Sequence, residues 1–276
     1  KETISSRHIE GIVESVMDAV RNYREPLTEE RLFGWHAALF PTGHSGAHKI
    51  RVAELRNSEM QVVSSKGYKE IVHYKAPVPE KVREQMTEFL CWLNAEGNEN
   101  PILKAAIAHL WFVIIHPFDD GNGRLTRTIT EMMLARAENT YLRFYSMSAQ
   151  IQKEKKGYYK ILEQISTGNL NITDWLIWFL ECLGHSIENS EEIAGKVLRK
   201  AIFWQKNAAE ISNNIQREII NRLFDGFTGN LTSGKVEKIF RISQDTAGRL
   251  LKDLVEKGFL EVRGAGRSTH YVLAER

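Results

Sequence analysis

The sequence predicts a mainly α-helical chain carrying one β-hairpin, followed by a smaller winged helix-turn-helix unit. Three observations predict it. Apolar residues recur at spacings of three and four in residues 9–20, 82–93, 102–115 and 172–183, the period of helices with one buried face. Residues 60–74 break that period with two short β-branched runs around Ser64, Ser65, Lys66 and Gly67, the composition of a hairpin and its turn. From Leu231 the pattern changes to two short helices and two strands.

Composition bounds what such a chain can be. Its 276 residues are 42% hydrophobic and 26% charged, enough for one large core or two smaller ones, which excludes a disordered tail, a coiled coil and a disulfide miniprotein. Lys plus Arg is 37 and Asp plus Glu is 35, a net charge of +2, so nucleic acid and membrane have no whole-chain electrostatic case. Cys91 and Cys182 lie far apart in apolar helical surroundings, the usage of a reduced, cytoplasmic protein with two buried thiols. The most apolar stretch, residues 105–118, is too short to span a bilayer and is interrupted by His109 and His116, so no membrane partner is expected. No export signal opens the chain; Lys1 in place of Met reads as the start of a fragment.

The elements follow in order. Ser6 as a helix cap with Glu10 in the first turns opens the first helix, ordinary helix-start chemistry taken alone. After the hairpin, Pro77 and Pro79 stop the strand and launch a helix near Glu80, because proline is tolerated in a helix's first turn and not in its interior. A long polar helix over 188–224, poor in proline and glycine, is expected as a rigid connector. Beyond it come a helix over 233–240, a turn at 241–243, and a second helix over 244–257. On that helix Ala247, Leu250, Leu251, Leu254 and Val255 form the apolar stripe and Gln244, Asp245, Arg249 and Lys252 face outward.

The segment His116-Pro117-Phe118-Asp119-Asp120-Gly121-Asn122-Gly123-Arg124-Leu125-Thr126-Arg127 joins two helices and carries the chemistry. Gly121 and Gly123 let the backbone approach a ligand, and the helix after them offers unsatisfied N–H groups and a positive dipole end, which together suit phosphate. Arg124 and Arg127, three apart, can project toward one polyanion. Asp120 is a hard oxygen ligand suited to magnesium, His116 titrates near neutrality as a general base must, and Phe118 anchors the loop in the core. Gly-x-Gly alone is commonly a turn, and a lone histidine after an apolar helix is commonly structural; so dense a set of charges needs compensation that a mere turn does not supply.

At every fixed position these residues match the pattern His-x-Phe-x-Asp/Glu-Gly-Asn-Gly-Arg-x-x-Arg, and the sequence resembles the Fic family. The resemblance extends more loosely to Trp35-His36-Ala37-Ala38-Leu39-Phe40, the hairpin, Pro77 and Pro79, Tyr158-Tyr159 and residues 175–180, covering residues 6–183 or so. It implies a Fic-type helical domain whose hairpin is a flap, and protein adenylyltransfer (AMPylation): AMP passes from ATP, with Mg2+, to a Ser, Thr or Tyr hydroxyl of a target protein and of the chain itself. By the same resemblance His116 is the catalytic base and Asp120 holds the metal. The backbone of Gly121 and Gly123 and the Asn122 amide cradle phosphates, and Arg124 and Arg127 neutralise the outer ones. Leu125 and Thr126 fall within the same ATP-binding run, Tyr158 lines the adenine pocket, and Val63, Ser64 and Ser65 of the flap approach the ligand. Adjacent tyrosines on a helix cannot both point one way, which by geometry alone puts Tyr159 in the core.

Ser6-x-x-x-Glu10-Gly11 also matches the family's inhibitory helix, Ser/Thr-x-x-x-Glu-Gly/Asn. This implies autoinhibition through a Glu10–Arg124 ion pair that holds ATP unproductively. The implied organisation is an inhibitory region at 1–27, a catalytic domain at 28–187, a connecting helix at 188–230 and a winged helix at 231–276. Residues 231–276 hold nine basic and six acidic side chains, among them Arg263 and Arg267 at the wing, a modest excess for DNA. DNA contact, protein docking and homodimerisation all stay open, as do AMP removal with Glu10 activating water and a nucleotide-sensing transcription regulator as the competing whole-chain function.

Overall fold

The computed structural model describes residues 6–66, 69–166 and 171–274. The chain divides into two compact units, Lys1–Ser190 and Glu191–Arg276. Each is mainly helical with small two-stranded hairpins, in agreement with the sequence.

In the first unit, α1 (Ser6–Arg21) lies on α2 (Glu29–Leu39). Gly11 permits the contact, because a Cβ there would collide with the Ala38 carbonyl of α2. Farther along, Asp18 accepts from Arg31 Nε at 2.8 Å and Trp35 Nε1 at 2.7 Å, fixing the two helices to one another. Two minimal strands, β1 (His44–Ser45) and β2 (His48–Lys49), precede the larger hairpin of β3 (Gln61–Lys66) and β4 (Lys69–Lys75). The register corrects the sequence reading of that hairpin: Ser64 pairs with Ile71, Ser65 with Glu70 and Lys66 with Lys69, so the two serines are strand residues rather than turn residues. Gly67 and Tyr68 lie outside the described residues.

Helix α3 (Pro79–Asn94) starts on the expected proline. Its buried residues are Val82, Met86, Phe89 and Leu93, which leaves Cys91 on the opposite, exposed face; of the two thiols expected to be buried, only Cys182 is. At the centre, α4 (Pro101–Ile115) packs along α5 (Asn122–Glu138). Both bury most of their circumference, through Ala105, Ala106, Phe112 and Ile115 on one and Ile129, Met132 and Leu134 on the other. Helices α6 (Met147–Lys153) and α7 (Lys155–Ser166) and the first half of α8 (Thr173–Asn207) close the core, with Trp175 donating its indole N–H to the Ala106 carbonyl at 2.9 Å.

The expected connector over 188–224 is two helices. α8 ends at Asn207, and α9 (Asn214–Phe224) starts afresh with the Asn213 side chain accepting from the N–H groups of Ile215 (2.8 Å) and Gln216 (3.3 Å). An asparagine cap competes with helix continuation, and Ile211, fully buried in the second core, takes the intervening chain inward. That core also holds Ile219, Leu231, Val236, Ala247, Leu251, Leu254 and Phe259. Helices α10 (Ser233–Phe240) and α11 (Gln244–Glu256) meet at Arg241, and β5 (Leu260–Arg263) pairs antiparallel with β6 (His270–Leu273). On α11, Ala247, Leu251 and Leu254 are buried, Leu250 and Val255 half-buried, and Gln244, Asp245, Arg249 and Lys252 exposed. Among the described residues no helix is long and apolar enough to cross a membrane.

Candidate active site at the end of the central helix pair

The connection from α4 to α5 builds the site. His116 ends α4 in the left-handed region (φ 49°), which turns the chain sharply out of the helix. Its ring Nδ1 lies 3.1 Å from the Val113 carbonyl. A carbonyl can only accept, so the proton sits on Nδ1 and Nε2 keeps a free lone pair. Burial holds the imidazole below its usual pKa, with Arg56 adding to that effect and the Val113 carbonyl and Asp120 opposing it. The neutral, basic form is therefore the resident one near pH 7.

Phe118 is fully buried, as expected, and its ring stacks on His36 at 4.2 Å. His36 accepts the Ala53 N–H on Nδ1 (3.1 Å), so Nε2 carries the proton and donates to the Asp120 carbonyl at 3.1 Å. Asp119 accepts the Arg51 N–H at 3.0 Å. The Asp120 carboxylate accepts from the Gly121 N–H (2.5 Å) and the Ser45 hydroxyl, and pairs with Arg124 at 3.6 Å. Gly121 is required twice over: its φ is +84°, and a Cβ would stand 2.8 Å from the Phe40 ring. The same Phe40 ring carries the Arg124 guanidinium at 4.6 Å.

Three of the expected ligand residues have side chains committed to the protein itself. The Asn122 amide is committed to the loop itself: its Nδ2 donates to the Phe118 carbonyl (2.7 Å) and its Oδ1 accepts the Phe118 N–H (3.0 Å), leaving the backbone rather than the side chain to face a phosphate. Leu125 and Thr126 are fully buried on the core side of α5, where Thr126 Oγ1 donates to the Asn122 carbonyl at 2.7 Å. Neither lines the cavities described next. The side chains of Val63, Ser64 and Ser65 lie outside the described residues.

A cavity of about 420 Å3 brings His116, Asp120, Gly123, Arg127, Tyr158 and Tyr159 together, within the ~300–1,000 Å3 usual for small-molecule sites. A second, of about 620 Å3, shares Asp120, Arg127, Tyr158 and Tyr159 and adds Arg124, Lys155 and Ile12. Tyr158 contributes its ring only. Its hydroxyl donates to His109 Nε2 (3.0 Å), His109 Nδ1 donates to Thr130 Oγ1 (2.8 Å), and Thr130 donates to the Thr126 carbonyl (2.8 Å). Burial pushes the Tyr158 pKa up and takes His109 down to about 3, so both stay neutral. Tyr159, expected in the core, is half exposed and lines both cavities. Glu10 is exposed on the first turns of α1, while Arg124 is seen paired with Asp120.

Among the described residues no group of three or more His, Cys, Asp and Glu could hold a metal. The donor set fits magnesium in its nucleotide-bound form, since Mg2+ commonly takes one or two carboxylates and completes its shell with phosphate and water, and Asp120 is one carboxylate at the cavity wall.

Sequence reasoning missed Arg56, His36 and Tyr74 as parts of this site. Arg56 is buried and bonds the His116 carbonyl (2.8 Å), and Tyr74 donates to the Ile114 carbonyl at 2.5 Å from the cavity wall. Arg56 in an irregular loop and Tyr74 in a strand carry no spacing signal, and His36, although it lies in a segment that resembles the family, shows no local sign of its bond to the Asp120 carbonyl.

Residues 26–134 match the model of the Fic/DOC family. The protein adenylyltransferase Fic of Nematostella vectensis is 31% identical over 132 residues, 46% of this chain and 26% of that protein. A uridine 5'-monophosphate transferase of Xanthomonas campestris pv. campestris (strain 8004) is 29% identical over 119 residues, 40% of this chain and 21% of that protein. The matched segments thus make up about a quarter of the length of these relatives. The crystal structure of a Fic family protein from Desulfovibrio desulfuricans G20 aligns with all of this chain and 78% of its own, at a TM-score of 0.52 and 20% identity, a likeness of fold.

Proposed function

The chain belongs to the Fic family, and from that premise we propose that it is a nucleotidyltransferase moving AMP from ATP onto a Ser, Thr or Tyr hydroxyl of a protein. One observation carries the reading: His116, with its proton held on Nδ1 by Val113, shares a cavity with Asp120, Gly123 and Arg127 and with the rings of Tyr158 and Tyr159. That is a base, an anion cradle and an aromatic wall within the reach of one nucleotide.

In this mechanism His116 Nε2 takes the proton of the target hydroxyl as its oxygen bonds to the α-phosphorus. The bond from that phosphorus to the bridging oxygen breaks in line, and pyrophosphate leaves. The first-turn N–H groups of Asn122 and Gly123 meet the developing phosphate charge, and Arg124 and Arg127 neutralise the leaving group. Tyr158 and Tyr159 offer ring faces to the base, and β3 offers a strand to the target peptide. Asp120 would hold Mg2+, which supplies charge neutralisation at the phosphates. The printed name of the Xanthomonas relative makes UMP the competing cargo.

Glu10 is proposed as a brake that takes Arg124 from Asp120. Ile12, two residues on, already shares a cavity wall with Arg124, which puts α1 beside that guanidinium. A desolvated bidentate pair outweighs an exposed one, and Asp120 and Arg124 are both partly exposed. Residues 231–276 are proposed as a winged-helix module. No feature of the comparisons favours a nucleotide-sensing regulator, and a titration of duplex DNA against salt tests that alternative.

The deciding experiment is the intact mass of the Glu10→Gly chain after incubation with ATP or UTP and magnesium. An AMP-sized increment, far larger than in the unmodified chain, is expected. A folded Glu10→Gly chain that modifies neither itself nor lysate proteins overturns the proposal, and a UMP-sized increment in its place reassigns the cargo.

A further inference from the structure

Arg56 is 2% exposed; Asp119 and Tyr74 act on its charge, but it forms no ion pair among the described residues. Its guanidinium is satisfied by main-chain carbonyls instead: Nε donates to His116 (2.8 Å), Nη1 to Ser58 (2.8 Å), and Nη2 to Pro77 (2.6 Å) and Ile115 (3.4 Å). Its own N–H donates to Pro117 at 2.8 Å. Burying a cation is costly in general, and here the Asp119 charge and the carbonyl end of α4, where the helix dipole is negative, offset that cost.

These partners fall into two groups. Ile115, His116 and Pro117 are the exit of α4 that carries the proposed base. Ser58 and Pro77 are the two feet of the larger hairpin, closed at its base by the Ala76 N–H donating to the Met60 carbonyl at 2.9 Å. His116 is a non-glycine residue at φ 49°, a conformation that persists only where the surroundings over-determine it. The ring is aimed from that backbone, so whatever fixes the carbonyl of His116 also fixes Nε2.

Resting on the transfer reaction above, we propose that Arg56 is a positioning residue: one guanidinium that locks the backbone of the general base to both feet of the hairpin, so that target strand and base share an anchor. Lysine cannot replace it, because a compact ammonium cannot reach carbonyls on both sides as a planar fork does. The residue touches neither nucleotide nor target, and its effect belongs in turnover rather than in ATP binding.

The test uses the full chain in the Glu10→Gly background. Arg56→Ala is expected to lower kcat by about 100-fold, the scale of an ångström's misplacement of a reacting group, with KM for ATP within about threefold. Millimolar guanidinium ion should return part of that loss in Arg56→Ala and none in His116→Ala. Arg56→Lys, the conservative variant, should still lose at least about tenfold in kcat. Unchanged kcat, a loss confined to KM, or failure of both variants to fold overturns the proposal, the last by making Arg56 a scaffold residue. Ring nitrogen NMR of His116 is independent of turnover: a single tautomer protonated at Nδ1 is expected in the parent and a mixture in Arg56→Ala. If the Glu10→Gly parent transfers no nucleotide, the transfer reading fails while this measurement still decides Arg56, an unchanged tautomer counting against it.

Discussion

Asn122→Ala separates a structural amide from a ligand-binding one. Asn122 is 2% exposed and bonds both backbone groups of Phe118, at 3.0 and 2.7 Å. Alanine would leave a buried N–H and a buried carbonyl without partners, each costing about 1–3 kcal/mol. The better helix propensity of alanine returns no more than about 0.7 kcal/mol at a helical position. The expected net loss is about 3 kcal/mol, which for a unit of this size lowers Tm by roughly 6–12 °C. Five of the six tryptophans (35, 92, 111, 175 and 178) lie in the first unit, so tryptophan fluorescence in a nucleotide-free melt follows that unit's transition. A Tm unchanged within 1–2 °C (about the resolution of a ~0.5 kcal/mol effect) with ATP binding weakened tenfold or more would refute the reasoning and return the amide to the phosphates.

Three further outcomes follow from the same geometry. His116→Ala should lower transfer by about 10²–10⁴-fold while ATP affinity, measured by calorimetry, stays within about threefold. Gly121→Ala should destabilise by at least about 1–2 kcal/mol through its left-handed backbone alone, and its contact with Phe40 should also disturb Arg124 and weaken nucleotide binding. His109 is held at about 3 in the folded chain against an ordinary 6.5, so it contributes stability that is complete above the ordinary value and is lost as pH falls toward the lower one. Urea titrations between those limits should show a steeper acid loss in the parent than in His109→Gln, and equal slopes would contradict the assignment.

The helices were readable wherever one face alone is buried, since α3 and α11 repeat their apolar residues at the period of the helix itself. The larger hairpin was readable from β-branched residues, but its register was not: Ser64 and Ser65 have turn chemistry, and it is pairing with Ile71 and Glu70 that makes them strand. The break between α8 and α9 was missed because Asn213 marks a cap only once the chain around Ile211 is known to turn inward. Within the site, His116, Asp120, the glycines and the arginines could be found because their spacing is local. Asn122, Leu125 and Thr126 share that spacing, and only packing shows that the Asn122 amide holds the loop and that Leu125 and Thr126 point into the core. Arg56 and His36 act on the loop from 60 and 84 residues away in sequence, a relation that no local pattern encodes.

The chain of hydrogen bonds behind the aromatic wall has a direction. Tyr158 gives to His109, His109 gives to Thr130, and Thr130 gives to a main-chain carbonyl, each group using its one proton once. Such a chain has no spare donor with which to absorb a change at one link. Tyr158→Phe would strand a lone pair on a buried imidazole, and Thr130→Val would strand its N–H. Positions 109, 130 and 158 are therefore energetically coupled, and a substitution that alters the nucleotide pocket by way of the Tyr158 ring carries the cost of an unpaired buried group unless its partner changes with it. Tyr159, whose ring is half exposed, carries no such obligation and is the position from which the pocket can drift.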